Sequence, residues 1–377
     1  MDFNLSEEQE MLREGIARFV ETHYSPEQHR RLVHSDSGGS PEHWQQFAEL
    51  GWLSLTLPES ISGFAFSFEE IAILMEQFGR GLVLEPFAST AVLCARLLEQ
   101  ADTLVLAERT LPKIAEGALK LALAYSEDSS GFDPAQPCST HALKTAHGYQ
   151  LSGQKTMVFD GPSADCFIVT AYATGHGLLL ALVDRGADGL RCESYPLIDG
   201  SRACDLFLDK VVVPDAAVLA LGTKAENLLE EAIDRAILAR LAEAVGAMEA
   251  AMDITAAYIK ERQQFGQPIG KFQALQHIMA EMFVESQEAR SMLYHGIAHI
   301  DAHIENGDAQ TSKRAISMAK MAIGRAGHFV AASGIQLHGG YGVTDEYPIS
   351  HYYKRLMVIE KAYGDSDFHM RRYVSLG

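Results

Sequence analysis

The sequence predicts an α+β fold in three parts: a helical N-terminal domain (1–118), a middle β-barrel domain (119–222) and a C-terminal four-helix bundle (223–377). Two observations carry this. Apolar residues recur at helical spacing at both ends of the chain, and between about 119 and 220 the apolar runs shorten to strand length. The chain length agrees, because 377 residues can form two or three packed units.

In the first part, Ser6 and Gln9 form a capping box ahead of Met11, Ile16, Phe19 and Val20. Further helices are expected at 44–50 and 68–78, punctuated by Gly79-Arg80-Gly81 and Pro86. In the second part, strands are expected at 119–125, 149–151, 166–173, 177–183 and 204–213, separated by Gly, Asp, Ser and Pro. The expected sheet is antiparallel, in a barrel or sandwich. In the third part, Leu229, Ile233, Ile237, Leu241, Ala244, Met248, Met252, Thr255 and Ile259 keep one helical rhythm for more than thirty residues. Such a helix spans ~45 Å and should cross several partners. Helices at 272–303, 309–333 and 347–362 complete a four-helix set.

Composition excludes several classes. A net charge of −19 argues against nucleic acid and anionic membrane as partners. No apolar run reaches the length of a membrane span, and no basic segment followed by an apolar run marks a signal peptide. Cys94, Cys138, Cys166, Cys192 and Cys204 are scattered, with no C-x-x-C pair, so a reduced cytoplasmic protein is expected. No metal-binding, phosphate-loop, nucleophile-elbow or Rossmann signature occurs.

The most informative stretch is 261–277. The long helix ends at Arg262, breaks at Phe265-Gly266-Gln267-Pro268, and a second helix resumes near Lys271. A fixed cation and several amides are thereby presented at a helix junction, which suits an anionic, planar ligand such as a dinucleotide. Taken alone, Arg262 could simply end a helix, since cations favour that terminus, and Gly339-Gly340 could be an ordinary turn.

Arg262-x-Gln264-Phe265-Gly266 and Gln336-Leu-His-Gly339-Gly340-Tyr-Gly342, in this three-part order, resemble the acyl-CoA dehydrogenase family over essentially the whole chain. Leu50-Gly51-Trp52, Leu57-Pro58-Glu59 and Gly63 are also family-like. The resemblance implies a flavoprotein that removes the α-hydrogen of an acyl-CoA as a proton and passes the β-hydrogen as hydride to FAD. It also implies a tetramer in which each FAD lies across a dimer interface, and an electron-transferring flavoprotein as acceptor. On the side that grips the ADP half, Arg262 matches the pyrophosphate arginine and Phe265 a packing phenylalanine. Gln264 keeps the family spacing, Gln273 matches a FAD-contacting glutamine, and Gln336, Gly339 and Gly340 match the turn where backbone approaches the cofactor. Asp234 matches a position near the CoA adenine, the alternative being a solvated acid. His338 reads as structural.

The flavin-ring side departs from the family. In the stretch 125–130 Ser126 can replace the family's threonine, but the glycine turn is missing; the following tryptophan-containing segment reads Met157-Val158-Phe159. Glycine stands at Gly364 and alanine at Ala236, the two places where family members carry the base. Glu243, two turns beyond Ala236, and Asp365 are the remaining base candidates; Glu243 could equally be a carboxylate on the helix's polar edge, and Asp365 a helix cap.

Gly364-Asp365 followed by His369 and Arg372 resembles the bacterial α2β2 enzymes acting on steroid side chains and dicarboxylates. The expectation is therefore a subunit that contributes its ADP-gripping residues to FAD held by a paralogous chain, with a bulky acyl-CoA as substrate. The alternatives are a self-sufficient homotetramer using Glu243 or Asp365, and a non-catalytic acyl-CoA-binding or scaffold homologue.

Overall fold

The computed structural model describes residues 5–35, 38–61, 63–102, 104–134, 138–306 and 308–377, with side chains omitted for 301–306. Ser6 caps α1 (Glu7–His23) as its spacing predicts: its Oγ accepts the Gln9 N–H at 3.1 Å, and Gln9 Oε1 accepts the Ser6 N–H at 3.0 Å. There follow α2 (Pro26–Val33), α3 (Pro41–Glu49) and α4 (Phe68–Gly81). A π-helical segment, Ala88–Cys94, runs into α5 (Ala95–Glu99), and α6 (Leu104–Ala115) closes the N-terminal part.

Eight strands follow: β1 (Leu121–Ala124), β2 (His141–Thr145), β3 (Gly148–Phe159), β4 (Cys166–Ala173), β5 (Gly177–Asp184), β6 (Leu190–Pro196), β7 (Arg202–Pro214) and β8 (Val218–Leu221). They order as β6-β7-β3-β2-β4-β5-β8, with β1 also on β4. The expectation of an antiparallel sheet needs correction. Both β1 and β2 pair with β4 in parallel, in tandem along one edge. Two of the strands that periodicity passes over are instructive. β6 alternates half-buried with exposed residues, because an edge strand buries little, and β2 buries only Ala142. Inside the sheet, Leu151, Phe167, Val169, Leu179, Leu206 and Val211 form a closed apolar core.

A helix of 40 residues, α7 (Gly222–Glu261), follows, longer than the periodic stretch alone suggested. It ends in a two-residue hairpin whose strands are β9 (Gln263–Gln264) and β10 (Gln267–Pro268). Phe265 and Gly266 take positive φ, 54° and 80°, as a tight hairpin turn demands. Then come α8 (Gln273–Asn306), α9 (Ala309–His338), α10 (Ile349–Lys361) and a further helix, α11 (Ser366–Ser375), which the four-helix expectation omits. Among the described residues, no helix is long and apolar enough to cross a membrane.

Contacts divide the chain into two units: Met1–Arg31, Ser67–Val83 and Ile237–Gly377 form one, and Leu32–Phe66 with Leu84–Ala236 the other. In the first, α4 meets α7 backbone to backbone. A Cβ on Gly79 would lie 1.9 Å from the Glu243 carbonyl oxygen, and one on Gly246 would lie 1.8 Å from that of Glu76. The glycine read as punctuation at position 79 is thus a crossing point inside a helix.

Candidate functional site

The Arg262 hairpin and the end of α9 share one open concavity of about 610 Å³, lined among others by Tyr258, Arg262, Gln264, Gln336, Gly339 and Gly340. The hairpin is fixed to the helix end by the Ile269 N–H donating to the Arg262 carbonyl at 2.8 Å. Its side chains point to solvent: Arg262 and Gln264 are exposed, and Phe265 is 91 % exposed. Arg262 makes no ion pair among the described residues. The aromatic ring of Phe265, held out on the hairpin turn, leaves apolar surface in water that a ligand or a second chain would cover. Gln273, the first residue of α8, is exposed as well.

The three glycines after His338 differ in what holds them. Gly342 is needed by its own chain, since a Cβ would lie 2.5 Å from the Ile335 carbonyl oxygen. Gly339 caps α9 at φ 59°, ψ −135°, a conformation suited to glycine. A Cβ on Gly340 would meet nothing within 4 Å, so no intrachain contact requires glycine there, whereas a ligand lying against the backbone would. His338 is buried; its Nδ1 lies 2.7 Å from the Gly334 carbonyl oxygen and its ring stacks on Tyr258 at 4.4 Å. Burial pushes its pKa down, which keeps it neutral, and Nε2 has no hydrogen-bond partner among the described residues. An exposed cation, paired amides and a Cβ-free backbone fit an extended dinucleotide such as FAD.

In the sheet unit, Ser126 is 4 % exposed and its Oγ donates to the Gly131 carbonyl at 2.6 Å. Gly131, one residue past the stretch read from sequence, has φ 57°, and its N–H donates to the Glu127 carbonyl at 2.7 Å. Gly131 therefore makes a turn of its own just beyond that stretch. Beneath it Glu127 and Lys155 form a buried pair at 2.6 Å. Burial works against the Glu127 carboxylate, but Lys155, the Ser139 hydroxyl and the Cys138 thiol more than offset it and hold the pKa well below the usual range. Met157 takes φ 52° and its N–H donates to Asp205 at 3.1 Å; Asp205 also accepts from the Tyr195 hydroxyl at 2.8 Å. This three-residue tie has no sequence signal, because its members lie on three strands.

The base candidates have other occupations. Glu243 is 1 % exposed and bridges two arginines, Oε1 to Arg355 Nη1 at 2.9 Å and Oε2 to Arg240 Nη1 at 2.8 Å. Asp365 is the N-cap of α11: it accepts the Phe368 N–H at 2.9 Å and pairs with Lys361 at 3.1 Å. That N–H and Lys361 hold its carboxyl below the usual range. Gly364 has φ 100°, and a Cβ on it would lie 2.3 Å from Phe368 Cδ1. Ala236 and Asp234 are buried on α7.

Comparison with known proteins identifies the family and the fold. The acyl-CoA dehydrogenase N-terminal, middle and C-terminal domain families match residues 6–118, 122–211 and 227–374. The acyl-CoA dehydrogenase IpdE2 of Mycolicibacterium smegmatis is 29 % identical, over 93 % of each chain. Among solved structures, a variant of the Tcur3481-Tcur3483 steroid acyl-CoA dehydrogenase is 31 % identical with a TM-score of 0.87, covering 98 % of this chain and 97 % of that one. The ChsE4-ChsE5 complex of Mycobacterium tuberculosis is 26 % identical with a TM-score of 0.89, covering 100 % and 98 %. The chain belongs to the acyl-CoA dehydrogenase family, whose members are FAD-dependent oxidoreductases.

Proposed function

We propose that this chain is one subunit of an α2β2 acyl-CoA dehydrogenase. In this reading Arg262, Gln264, Gln336, Gly339 and Gly340 reach outward to the ADP half of a FAD whose flavin ring and acyl-CoA are held by a paralogous chain. The observation that carries it is at Gly364. The family's base position holds a residue with φ 100° whose Cβ would collide with Phe368, so a glutamate has no place there, while the outward Arg262 face is kept. Two structural relatives, ChsE4-ChsE5 and Tcur3481-Tcur3483, are themselves two-component complexes.

Bound FAD supplies the hydride acceptor. This chain's residues bind and orient it. Arg262 sets a local positive charge against a chain of net charge −19 and neutralises the pyrophosphate. Gly339 and Gly340 let the backbone come within contact distance of the ligand, and the buried His338, stacked on Tyr258, supports the helix end from beneath. Glu243 and Asp365 serve as ion-pair partner and cap in this reading, so the proton is taken by the partner chain. The substrate is a bulky acyl-CoA and the electron acceptor an electron-transferring flavoprotein.

Flavin-to-chain stoichiometry tests this, measured on the chain alone and co-purified with a co-expressed paralogue. We expect flavin only in the co-purified complex, and its loss there in Arg262→Ala. About one FAD per chain in the chain alone overturns the heteromer reading; full flavin in the Arg262→Ala complex overturns the assignment of the face.

A further inference from the structure

Cys192 and Cys204 lie on β6 and β7, which among the described residues are the edge strand of the sheet and its neighbour in the strand order. The register pairs Cys192 with Leu206 and Ser194 with Cys204. The two cysteines are therefore diagonal neighbours on the same, core-facing side of the sheet. Both are free thiols.

Their surroundings are asymmetric. Cys204 is fully buried, its sulfur packed so closely on Gly161 that a Cβ there would lie 2.3 Å away. Cys192 is half-buried, with Arg185 Nη2 at 3.9 Å and the Ser194 hydroxyl at 4.0 Å. Arg185 is itself anchored, its Nη1 donating to the carbonyls of Gly161 at 2.9 Å and Ala164 at 3.1 Å. The guanidinium is thus held by backbone next to one sulfur. Simple core filling accounts for Cys204, but it does not call for a fixed cation beside Cys192.

The other three cysteines have the opposite environment. Burial pushes all three thiols up, helped by Asp160 at Cys94 and Asp184 at Cys166. Cys192 alone is pushed down, to about 6, by the Cys204 thiol donating to it and by Arg185 and Ser194, against burial; Cys204 is correspondingly pushed up. Nucleophilic thiols are those that are partly exposed and held as thiolates by a nearby cation.

We propose that Cys192 and Cys204 form a thiol redox pair, with Cys192 as the attacking sulfur and Cys204 as the resolving one, oxidised by a low-molecular-weight disulfide. The Cys192 thiolate attacks one sulfur of the disulfide RSSR, forming Cys192–S–SR and releasing RS⁻. Cys204 then attacks Cys192 Sγ, expelling the second RS⁻; the Cys204 proton and one from solvent convert the two leaving groups to RSH. Two electrons pass from the cysteine pair to RSSR, and the products are one Cys192–Cys204 bond and two RSH. Diagonal neighbours sit farther apart than a relaxed disulfide prefers, so closure draws β6 towards its neighbour. An edge strand, hydrogen-bonded on one side only, can yield. A bond closed under strain is readily reduced again, which suits a reversible modification.

The test uses the full chain, reduced and desalted, then incubated at neutral pH with excess oxidised glutathione. Intact mass and peptide mapping are the readouts. The wild type should lose two hydrogens and yield a cross-linked peptide containing Cys192 and Cys204. Cys204→Ala should stop at a glutathione adduct on Cys192, and Cys192→Ser should give neither product. If Cys204→Ala fails to fold, as judged by circular dichroism, Cys204→Val fills the buried site and replaces it. The proposal fails if the wild type accumulates the adduct without cross-linking, or if another cysteine reacts before Cys192.

Discussion

Glu243→Gln separates a structural carboxylate from a catalytic one. Glu243 and Arg355 are both nearly sealed from solvent, with side chains 1 % and 3 % exposed, and meet at 2.9 Å. Arg240, on the other oxygen, is 16 % exposed and can turn towards water; Arg355 cannot. A glutamine would strip the buried Arg355 of the Glu243 carboxylate and turn an amide donor towards one of two guanidinium groups. Removing one partner of a buried pair costs about 3–5 kcal/mol. Urea unfolding should therefore show a loss of that order. Arg355→Met alone should also destabilise, and the double variant should lose much less than the sum of the two. The reasoning is refuted if Glu243→Gln stays within about 1 kcal/mol of wild type while proton abstraction in the flavin-loaded enzyme falls by about 100-fold or more, the signature of a lost general base.

Three further outcomes follow from the same geometry. Gly364→Glu, which restores the family's base in name, should cost about 2–6 kcal/mol, combining positive-φ strain with the overlap on Phe368, and should give the chain no activity of its own, read by urea unfolding and substrate-dependent flavin bleaching. Gly340→Ala should leave stability within about 0.5 kcal/mol of wild type and weaken FAD retention in the complex, whereas Gly342→Ala should lose about 1–3 kcal/mol through its 2.5 Å approach to the Ile335 carbonyl oxygen. Buried His29 and His369 are each pushed down to about 3, chiefly by burial. Because the unfolded chain takes up these protons near pH 6.5 and the folded one does not, stability is fully present above that pH and falls as pH drops towards 3. At pH 5 the loss is about 2 kcal/mol per histidine, and a His369→Gln variant should show a shallower acid limb in pH-dependent urea titrations.

Much of the fold was legible because the period of burial is written in the chain. The Ser6–Gln9 capping box, the long rhythm of α7 and the helix break at Phe265-Gly266 each need only residues close in sequence, so local chemistry fixes them; that the break is a hairpin came from the structure. β2 and β6 escaped because they bury few side chains, so their sequences carry few apolar residues to mark a strand. The parallel pairing of β1 and β2 along β4 is a matter of which chains lie side by side, which no local pattern encodes. The short α11 was missed as well, although its Asp365 cap could be read.

At the site, the sequence by itself determined the family resemblance, the Arg262-Gln264 helix junction and the absence of a glutamate at positions 236 and 364. These are statements about residue identity at fixed spacing. Only the tertiary structure decided which groups face the carboxylates. Glu243 is answered by Arg355, 112 residues away, and whether a carboxylate serves as a base or an ion-pair partner depends on which charge faces it. The structure also decided that Gly364 cannot be replaced in place, because the clash with Phe368 and the positive φ belong to a loop folded back on the helix that follows it. Charge pairing and close approach act through space, and their range is set by the fold rather than by the spacing of residues along the chain.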